Sequence, residues 1–272
     1  MKSYLDLVNH VLNNGIKKNN RTGTDTRMVF GYHYKVNLQE GFPLITTKKV
    51  YFKSIIYELL WYLSGETHIR NLRPHTKIWD AWTSEEKKWE VGKMYGYQWV
   101  KWDKYNLNSN NGSIEHSHIN QIQNVIDLII TNPDSRRMVV SAWNPSVLKE
   151  IALPSCHAFF IFNVTNGKLN CHLTQRSGDI ALGIPFNLAC YATLTQMIAQ
   201  ETNLEMGEFS HFINDAHIYE NHIQGLEEQL TREPFPLPQL KISKKPFWDL
   251  AYEDFTLHNY QYHPQIQFPV AV

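Results

Sequence analysis

The 272-residue sequence predicts one α/β (α+β) domain, and three observations carry that reading. Apolar residues recur with helical spacing from Phe52 to Leu63 and from Ile119 to Ile130. They alternate with period two from Met28 to Leu38, and an Asn166-Gly167 pair joins two strand-like runs, the strongest short signal for a hairpin. With 43% hydrophobic and 19% charged residues the chain can bury a sizeable core, and neither a Pro/Ser/Gly-rich linker nor a fixed-period repeat divides it.

Taken in order, Tyr4, Leu5, Val8, Val11 and Leu12 share one helical face that Gly15 is placed to close. Arg21-Thr22-Gly23-Thr24-Asp25-Thr26 suits a phosphate, although loops of this composition are common. A strand follows, with Met28, Phe30, Tyr32, Tyr34, Val36 and Leu38 on one face. Phe52, Ile55, Ile56, Leu59, Leu60 and Leu63 make a core helix stopped by Gly65, and Glu58, off that stripe, reads by itself as a solvated carboxylate. Ile78–Trp82 and Tyr95–Trp99 crowd aromatic rings into loop-like sequence, either as core plugs or as stacking platforms for a flat ring. Asn106–Ser113 is a polar loop insertion, and the neighbouring His116 and His118 read as solvated loop in preference to a metal pair. Ile119, Ile122, Val125, Ile126, Ile129 and Ile130 form another helix, closed by Asn132-Pro133. Arg136 and Arg137 then precede a short strand, Met138–Trp143, as a solvated edge or as a phosphate grip.

The centre of the chain is Leu153-Pro154-Ser155-Cys156-His157, which sets a thiol just ahead of the extended run Ala158–Val164. After the turn, Leu169, Cys171, Leu173 and Gln175 alternate with Asn170, His172, Thr174 and Arg176. An antiparallel return brings Gln175-Arg176-Ser177-Gly178-Asp179 back beside Cys156, so a thiol and a guanidinium are predicted neighbours. A cation favours the thiolate, and the forked guanidinium can also grip an anionic substrate. A cysteine chosen at random is more often a small apolar residue; the Arg-Ser-Gly-Asp turn favours the nucleophile. Leu182–Asn187 leads into a helix carrying Tyr191, Leu194 and Ile198, with Asn187 in its first turn. A strand from Phe209 to Ile213, a last helix through Ile223, Leu226 and Leu230, and an apolar tail, Phe268–Val272, able to fold back, complete the chain.

The formal net charge is zero and the pI about 7.2, which excludes a global basic surface of the kind that holds nucleic acid. Three cysteines without Cys-x-x-Cys spacing argue against a disulfide scaffold or structural zinc and fit a reducing compartment. With no signal-like opening and no apolar run of membrane-span length, a cytoplasmic protein is expected.

Ten segments in one order then carry a resemblance. They are Arg-Thr-Gly-Thr at 21–24, Phe-Pro-Leu-x-Thr-Thr-Lys-Lys at 42–49, Glu-Leu-Leu-Trp at 58–61, Ile-Trp-Asp-x-Trp at 78–82 and Asp-Ser-Arg-Arg at 134–137. Pro-x-Cys-His at 154–157, Gln-Arg-Ser-x-Asp at 175–179, Gly-x-Pro-Phe-Asn at 183–187, Asp-x-His-x-Tyr at 215–219 and the terminal Pro-Val-Ala-Val follow. Together they resemble the thymidylate synthase family from Arg21 to Val272.

The resemblance implies one domain over residues 1–272 with a polar insertion at about 104–117, a mixed, mainly antiparallel sheet layered with helices, and a sheet-to-sheet homodimer. It implies a methyltransferase that converts dUMP to dTMP, with 5,10-methylenetetrahydrofolate as carbon donor and reductant, dihydrofolate as product, and no metal. Cys156 would add to C6 of the pyrimidine, and Asn187 would read N3 and O4. Arg21, Gln175, Arg176 and Ser177, with Arg136 and Arg137 of the partner subunit, would hold dUMP at its phosphate end, and His217 and Tyr219 would bond the ribose. Glu58 and Tyr95 would move protons. Asp179 would touch both nucleotide and pterin, while Trp79, Gly183, Phe186, Ala271 and Val272 would form the folate site. Three positions depart from the family pattern: Gly178 for cysteine or alanine, Asn214 for glycine and His68 for asparagine. The rival activities are a pyrimidine hydroxymethylase, whose cytosine-selective forms carry Asp where this chain has Asn187, and a silent nucleotide-binding protein on the same fold.

Overall fold

The computed structural model describes residues 1–272 except Arg21, Asn110 and Val272. In chain order the elements are α1 (Lys2–Asn14), β1 (Ile16–Lys18), β2 (Thr26–Asn37), α2 (Phe52–Ser64), α3 (Gly96–Val100), β3 (Trp102–Leu107), β4 (Ile114–Ile119), α4 (Gln121–Thr131), β5 (Val139–Ser141), β6 (His157–Thr165), β7 (Lys168–Asp179), α5 (Gly183–Glu201), β8 (Glu205–Tyr219), α6 (Ile223–Leu230), β9 (Gln239–Ile242) and β10 (Phe255–His258). Six of the strands make one sheet in the order β1-β2-β8-β7-β6-β5. Every pairing in it is antiparallel except β7 with β8, which run parallel because α5 carries the chain back between them.

Turn chemistry fixes the middle of the sheet. Asn166 and Gly167 take φ of 51° and 73°, the two left-handed positions of a two-residue hairpin, and β7 then buries Leu169, Cys171, Leu173 and Gln175 as the alternation predicts. α2 buries Ile55, Ile56, Leu59 and Leu63 of its predicted stripe, with Phe52 and Leu60 partly covered, and ends at Gly65, whose φ of 62° is the left-handed cap. α5 lies between the sheet and α2 and is buried on nearly all sides, from Ile184 through Tyr191 to Ala199. A helix enclosed in this way has no polar face to show.

Several expectations need correction. Gly15 does close α1, but in extended backbone, φ −68°, and not as a left-handed cap, and it is required for space: a Cβ there would stand 2.4 Å from the Val11 carbonyl oxygen. The β2 alternation buries Tyr34 and Val36, but Phe30 is 77% exposed, because alternation defines a face without specifying what covers it. Tyr95–Trp99 leads into a one-turn helix, α3, packed against α2, and the polar loop is the connection of a hairpin: Asn106 and Leu107 end β3, and β4, which begins at Ile114, carries His116 and His118 on a strand. Ile119 ends β4, and α4 begins after the side chain of Asn120 accepts from Gln123 N–H. The strand predicted from Phe209 to Ile213 is the middle of the longer β8, which also carries Asp215, His217 and Tyr219. β1, β9 and β10 are short strands that the sequence did not announce. No helix among the described residues is long and apolar enough to cross a membrane.

Candidate active site

A cleft of about 1050 Å³ opens where the start of β6, the ends of β7 and β8 and the first turns of α5 meet. Its wall brings together Glu58, Trp79, Tyr95, Cys156, Gln175, Arg176, Ser177, Asp179, Gly183, Phe186, Asn187, His217, Tyr219 and Ala271 from the predicted set. Arg136 and Arg137 are exposed ahead of β5 and do not line it. Arg21 and Val272 lie outside the described residues.

The two chain segments predicted to be neighbours are adjacent, and Cys156 and Arg176 both line the cleft. Arg176 N–H donates to the Cys156 carbonyl at 2.8 Å, while its guanidinium donates to the carbonyls of Ser155 at 3.0 Å and Pro154 at 2.6 Å. The register of β6 on β7 shifts between His157 and Phe159, a bulge that bends the strand start carrying Cys156 and His157. Cys156 is half-buried, whereas Cys171 and Cys190 are buried. Burial raises the Cys171 thiol to about 12 and takes Cys190 well above its usual value, so neither supplies thiolate at neutral pH.

Two acid–base groups share the cleft with the thiol. Glu58 is buried, with Trp79 Nε1–H donating to its Oε1 at 2.7 Å. Burial raises its carboxyl to about 7, against the opposing hydrogen bonds from Trp79 and Tyr62, which places it in the range of a general acid or base. The Tyr95 hydroxyl accepts from Cys156 N–H at 2.8 Å, and Tyr95 itself holds φ of 34° at the start of α3, a strained backbone for a bulky residue. There is no room to relax it by shifting the turn, since a Cβ on Gly96 would overlap the Tyr62 carbonyl at 1.9 Å.

Asn187 is oriented from behind. Gln175 Nε2 donates to Asn187 Oδ1 at 3.0 Å, Gln175 Oε1 meets His211 Nε2 at 2.8 Å, and His211 Nδ1 meets the Tyr34 hydroxyl at 2.8 Å. Burial, with neighbouring histidines adding to it, holds His211 well below its usual range, so the ring is neutral. One arrangement satisfies the chain: Tyr34 donates to His211, His211 Nε2–H donates to Gln175, and Gln175 donates to Asn187 Oδ1. Asn187 Nδ2 is thereby fixed as the donor of that amide.

At the far side, His217 shares its Nδ1 with Asp215 Oδ1 at 2.9 Å, and Lys18 holds Asp215 Oδ2 at 3.1 Å. Asp179 Oδ1 accepts from the backbone of Ala181 at 2.9 Å and Leu182 at 3.1 Å, capping the turn into α5. The tail is folded back here: Phe268 packs on Lys48, 4.5 Å from ammonium to ring centroid, and the Pro269 carbonyl meets His222 Nε2 at 2.7 Å. Lys48 also donates to the Ala181 carbonyl, joining the tail to the Asp179 turn.

Reading the sequence alone missed three features of the wall. Glu58 is buried, because Trp79 and Tyr62 close over the side of α2 that its apolar stripe does not occupy. His157 lines the cleft and is held down to about 4 by burial and the nearby Arg176 charge, against a hydrogen bond to Asn187, so its ring is neutral. Trp143 and Trp82 also reach the wall. Of the departures from the family pattern, Gly178 has a steric account: a Cβ there would meet Ile184 Cδ1 at 2.7 Å. A family model described as thymidylate synthase matches residues 2–272.

Proposed function

The chain belongs to the thymidylate synthase family, methyltransferases acting on dUMP, and on that premise we propose that it makes dTMP reductively from dUMP and 5,10-methylenetetrahydrofolate. The observation that carries the reading is the shared cleft: Cys156 beside Arg176 and Tyr95, with Asn187 and Glu58 on the same wall. The folate supplies a one-carbon unit and a hydride. Everything else follows from groups of the chain.

Uracil is a weak nucleophile at C5. In the proposed first step the Cys156 thiolate attacks C6, a C–S bond forms, and the C5–C6 π electrons move toward O4, which makes C5 nucleophilic. Asn187 fits this, because its fixed Nδ2–H can donate to O4 as negative charge builds there, while Oδ1 keeps a lone pair for N3–H. Cytosine reverses both demands. Glu58, titrating near neutrality, would relay protons at the ring through water, and the Tyr95 hydroxyl, beside the sulfur, would assist removal of the C5 proton before elimination returns the thiolate. His217 and Tyr219 are assigned to the ribose, Ser177 and Arg176 to the phosphate, and Gln175 to dUMP through the Asn187 amide it orients, all from the β7 and β8 strand ends.

The chain fits a folate as second substrate. Trp79, Phe186 and Gly183 line the cleft together, giving a flat pterin two aromatic walls and a position without a side chain, and Asp179 is anchored by two backbone donors with a carboxylate oxygen for the pterin's N–H groups. Arg136 and Arg137, exposed and outside their own cleft, are assigned to the phosphate bound by the other subunit of a homodimer. Incubating the purified protein with dUMP and 5,10-methylenetetrahydrofolate should generate dihydrofolate and dTMP in equal amounts. Hydroxymethylated nucleotide without dihydrofolate would replace this reading with the hydroxymethylase, and no product would leave a binding protein.

A further inference from the structure

Outside the cleft, the hairpin of β3 and β4 gathers a second set of ligating side chains. Asp103 stands directly opposite His118 across the pair, and His116, two residues earlier on the same strand, shares that face because side chains alternate with period two. Asp103 Oδ1 lies 2.7 Å from His116 Nε2 and 3.5 Å from His118 Nε2, and the three ligating atoms all fall within 4.8 Å of one another. We propose that these three residues form a surface site for a divalent transition ion of the zinc class, held by two imidazole nitrogens and one carboxylate oxygen.

The donor set selects the ion. Two imidazoles and a carboxylate with an open position suit Zn²⁺, whereas Mg²⁺ and Ca²⁺ ask for oxygen ligands throughout. Only a small adjustment is needed: tetrahedral ligands about 2.0–2.1 Å from zinc stand about 3.3 Å apart, so the 3.5 Å Asp103–His118 spacing already fits and the 2.7 Å Asp103–His116 contact must open by roughly half an ångström. On ion entry each neutral imidazole would carry its proton on Nδ1 and turn its Nε2 lone pair to the metal.

Supports of the kind that orient metal ligands are already in place. Lys93 Nζ holds the other carboxylate oxygen, Asp103 Oδ2, at 2.8 Å and leaves Oδ1 to the histidines. Tyr97 donates to Oδ1 at 3.1 Å and lies 3.3 Å from His118 Nε2, and Tyr105 stacks on the His116 ring at 4.7 Å and 13°. Asp103 itself is mostly covered, its side chain 14% exposed, while both histidines are open to solvent at 43% and 42%. A supported carboxylate beneath two accessible imidazoles gives an ion a route in. Charge opposes it, because the Lys93 ammonium lies behind the carboxylate. None of the three residues lines the cleft, so the proposed ion is not part of the nucleotide chemistry.

The probe is Zn²⁺ itself, titrated calorimetrically into the full-length, chelator-treated protein, with Co²⁺ as a spectroscopic stand-in. One equivalent should bind, and Co²⁺ should give the strong visible bands of a four-coordinate site. His116→Ala and His118→Ala should each weaken that equivalent at least tenfold without changing the unfolding midpoint of the metal-free protein or its turnover. Lys93→Met should tighten it by removing the opposing charge, a gain that a merely structural role for Lys93 would not produce. Absence of a stoichiometric equivalent, or one that survives both histidine variants, would overturn the proposal.

Discussion

In the proposed reaction three residues carry the chemistry, each through its surroundings. Cys156→Ser should lower turnover by roughly 10⁴-fold or more while changing dUMP affinity less than about threefold, because a serine hydroxyl is far harder to ionise than a thiol and a weaker nucleophile. Turnover within tenfold of the parent would end the covalent reading. Asn187→Asp removes the donor that the Gln175–His211–Tyr34 chain directs at the ligand, so the ratio of kcat/KM for dUMP over dCMP should fall by roughly 10²-fold or more. An unchanged ratio would sink the role of that amide. Glu58 carries a pH signature as well. Its folded carboxyl titrates near 7 against an ordinary 4.5, so the folded state holds a proton that the unfolded chain has lost between these values. The stability associated with the neutral acid is complete below about 4.5 and is lost as pH rises through 7. Glu58→Gln should therefore match the parent in urea midpoint at pH 4.5 and exceed it at pH 8, by about 3 kcal/mol at most, while turnover collapses. Equal differences at both pH values would show that burial does not perturb this group.

At the scale of elements, the β6–β7 hairpin sets the distance between the thiol and its arginine. Gly167 holds φ of 73° and a Cβ there would touch nothing within 4 Å, so Gly167→Ala measures the left-handed backbone alone. The variant should lose about 1 kcal/mol of stability with kcat/KM retained; a loss of activity at unchanged stability would mean that the turn reports to the cleft in some other way. This hairpin was legible because a two-residue turn and a two-residue period are both local. The β3–β4 hairpin was not. Its apolar positions Tyr105, Leu107 and Ile114 are exposed, so no buried face imposed the alternation by which a strand is recognised. α3 escaped for a related reason: one turn is too short for a helical period, and it is held by packing on α2.

For the whole molecule, the open question is which chain completes which cleft. One face of the sheet is packed under α1 and α5, whereas on the other His33, Lys35 and Val139 remain exposed, a surface suited to a second copy. If Arg136 and Arg137 act across a two-fold axis, a Cys156→Ala chain and an Arg137→Glu chain fail alone but complement each other when mixed. One cleft of the mixed dimer then takes its thiol from the second chain and its arginine from the first. Co-refolding should recover activity in up to about a quarter of all sites at equal mixing, since half the dimers are mixed and one site of each is intact. No recovery in verified mixed dimers would assign the arginines to their own subunit or to none.

What the sequence by itself determined was whatever rests on short-range rules. The 52–63 stripe and its glycine stop, the Asn166-Gly167 turn, and the return of Arg176 to Cys156 that the turn enforces are all of this kind. Motif order added the family and nearly all of the wall of the cleft. The tertiary structure alone decided the environments. Glu58 became a buried acid because Trp79 arrives from another segment, Asn187 acquired a direction from Tyr34 and His211, and Asp103 met His116 and His118 across a hairpin. The first two are contacts between elements far apart in the chain, whose strength depends on water being excluded around them, and the third rests on a strand register; a one-dimensional pattern carries no record of which side chains close over or stand opposite which others.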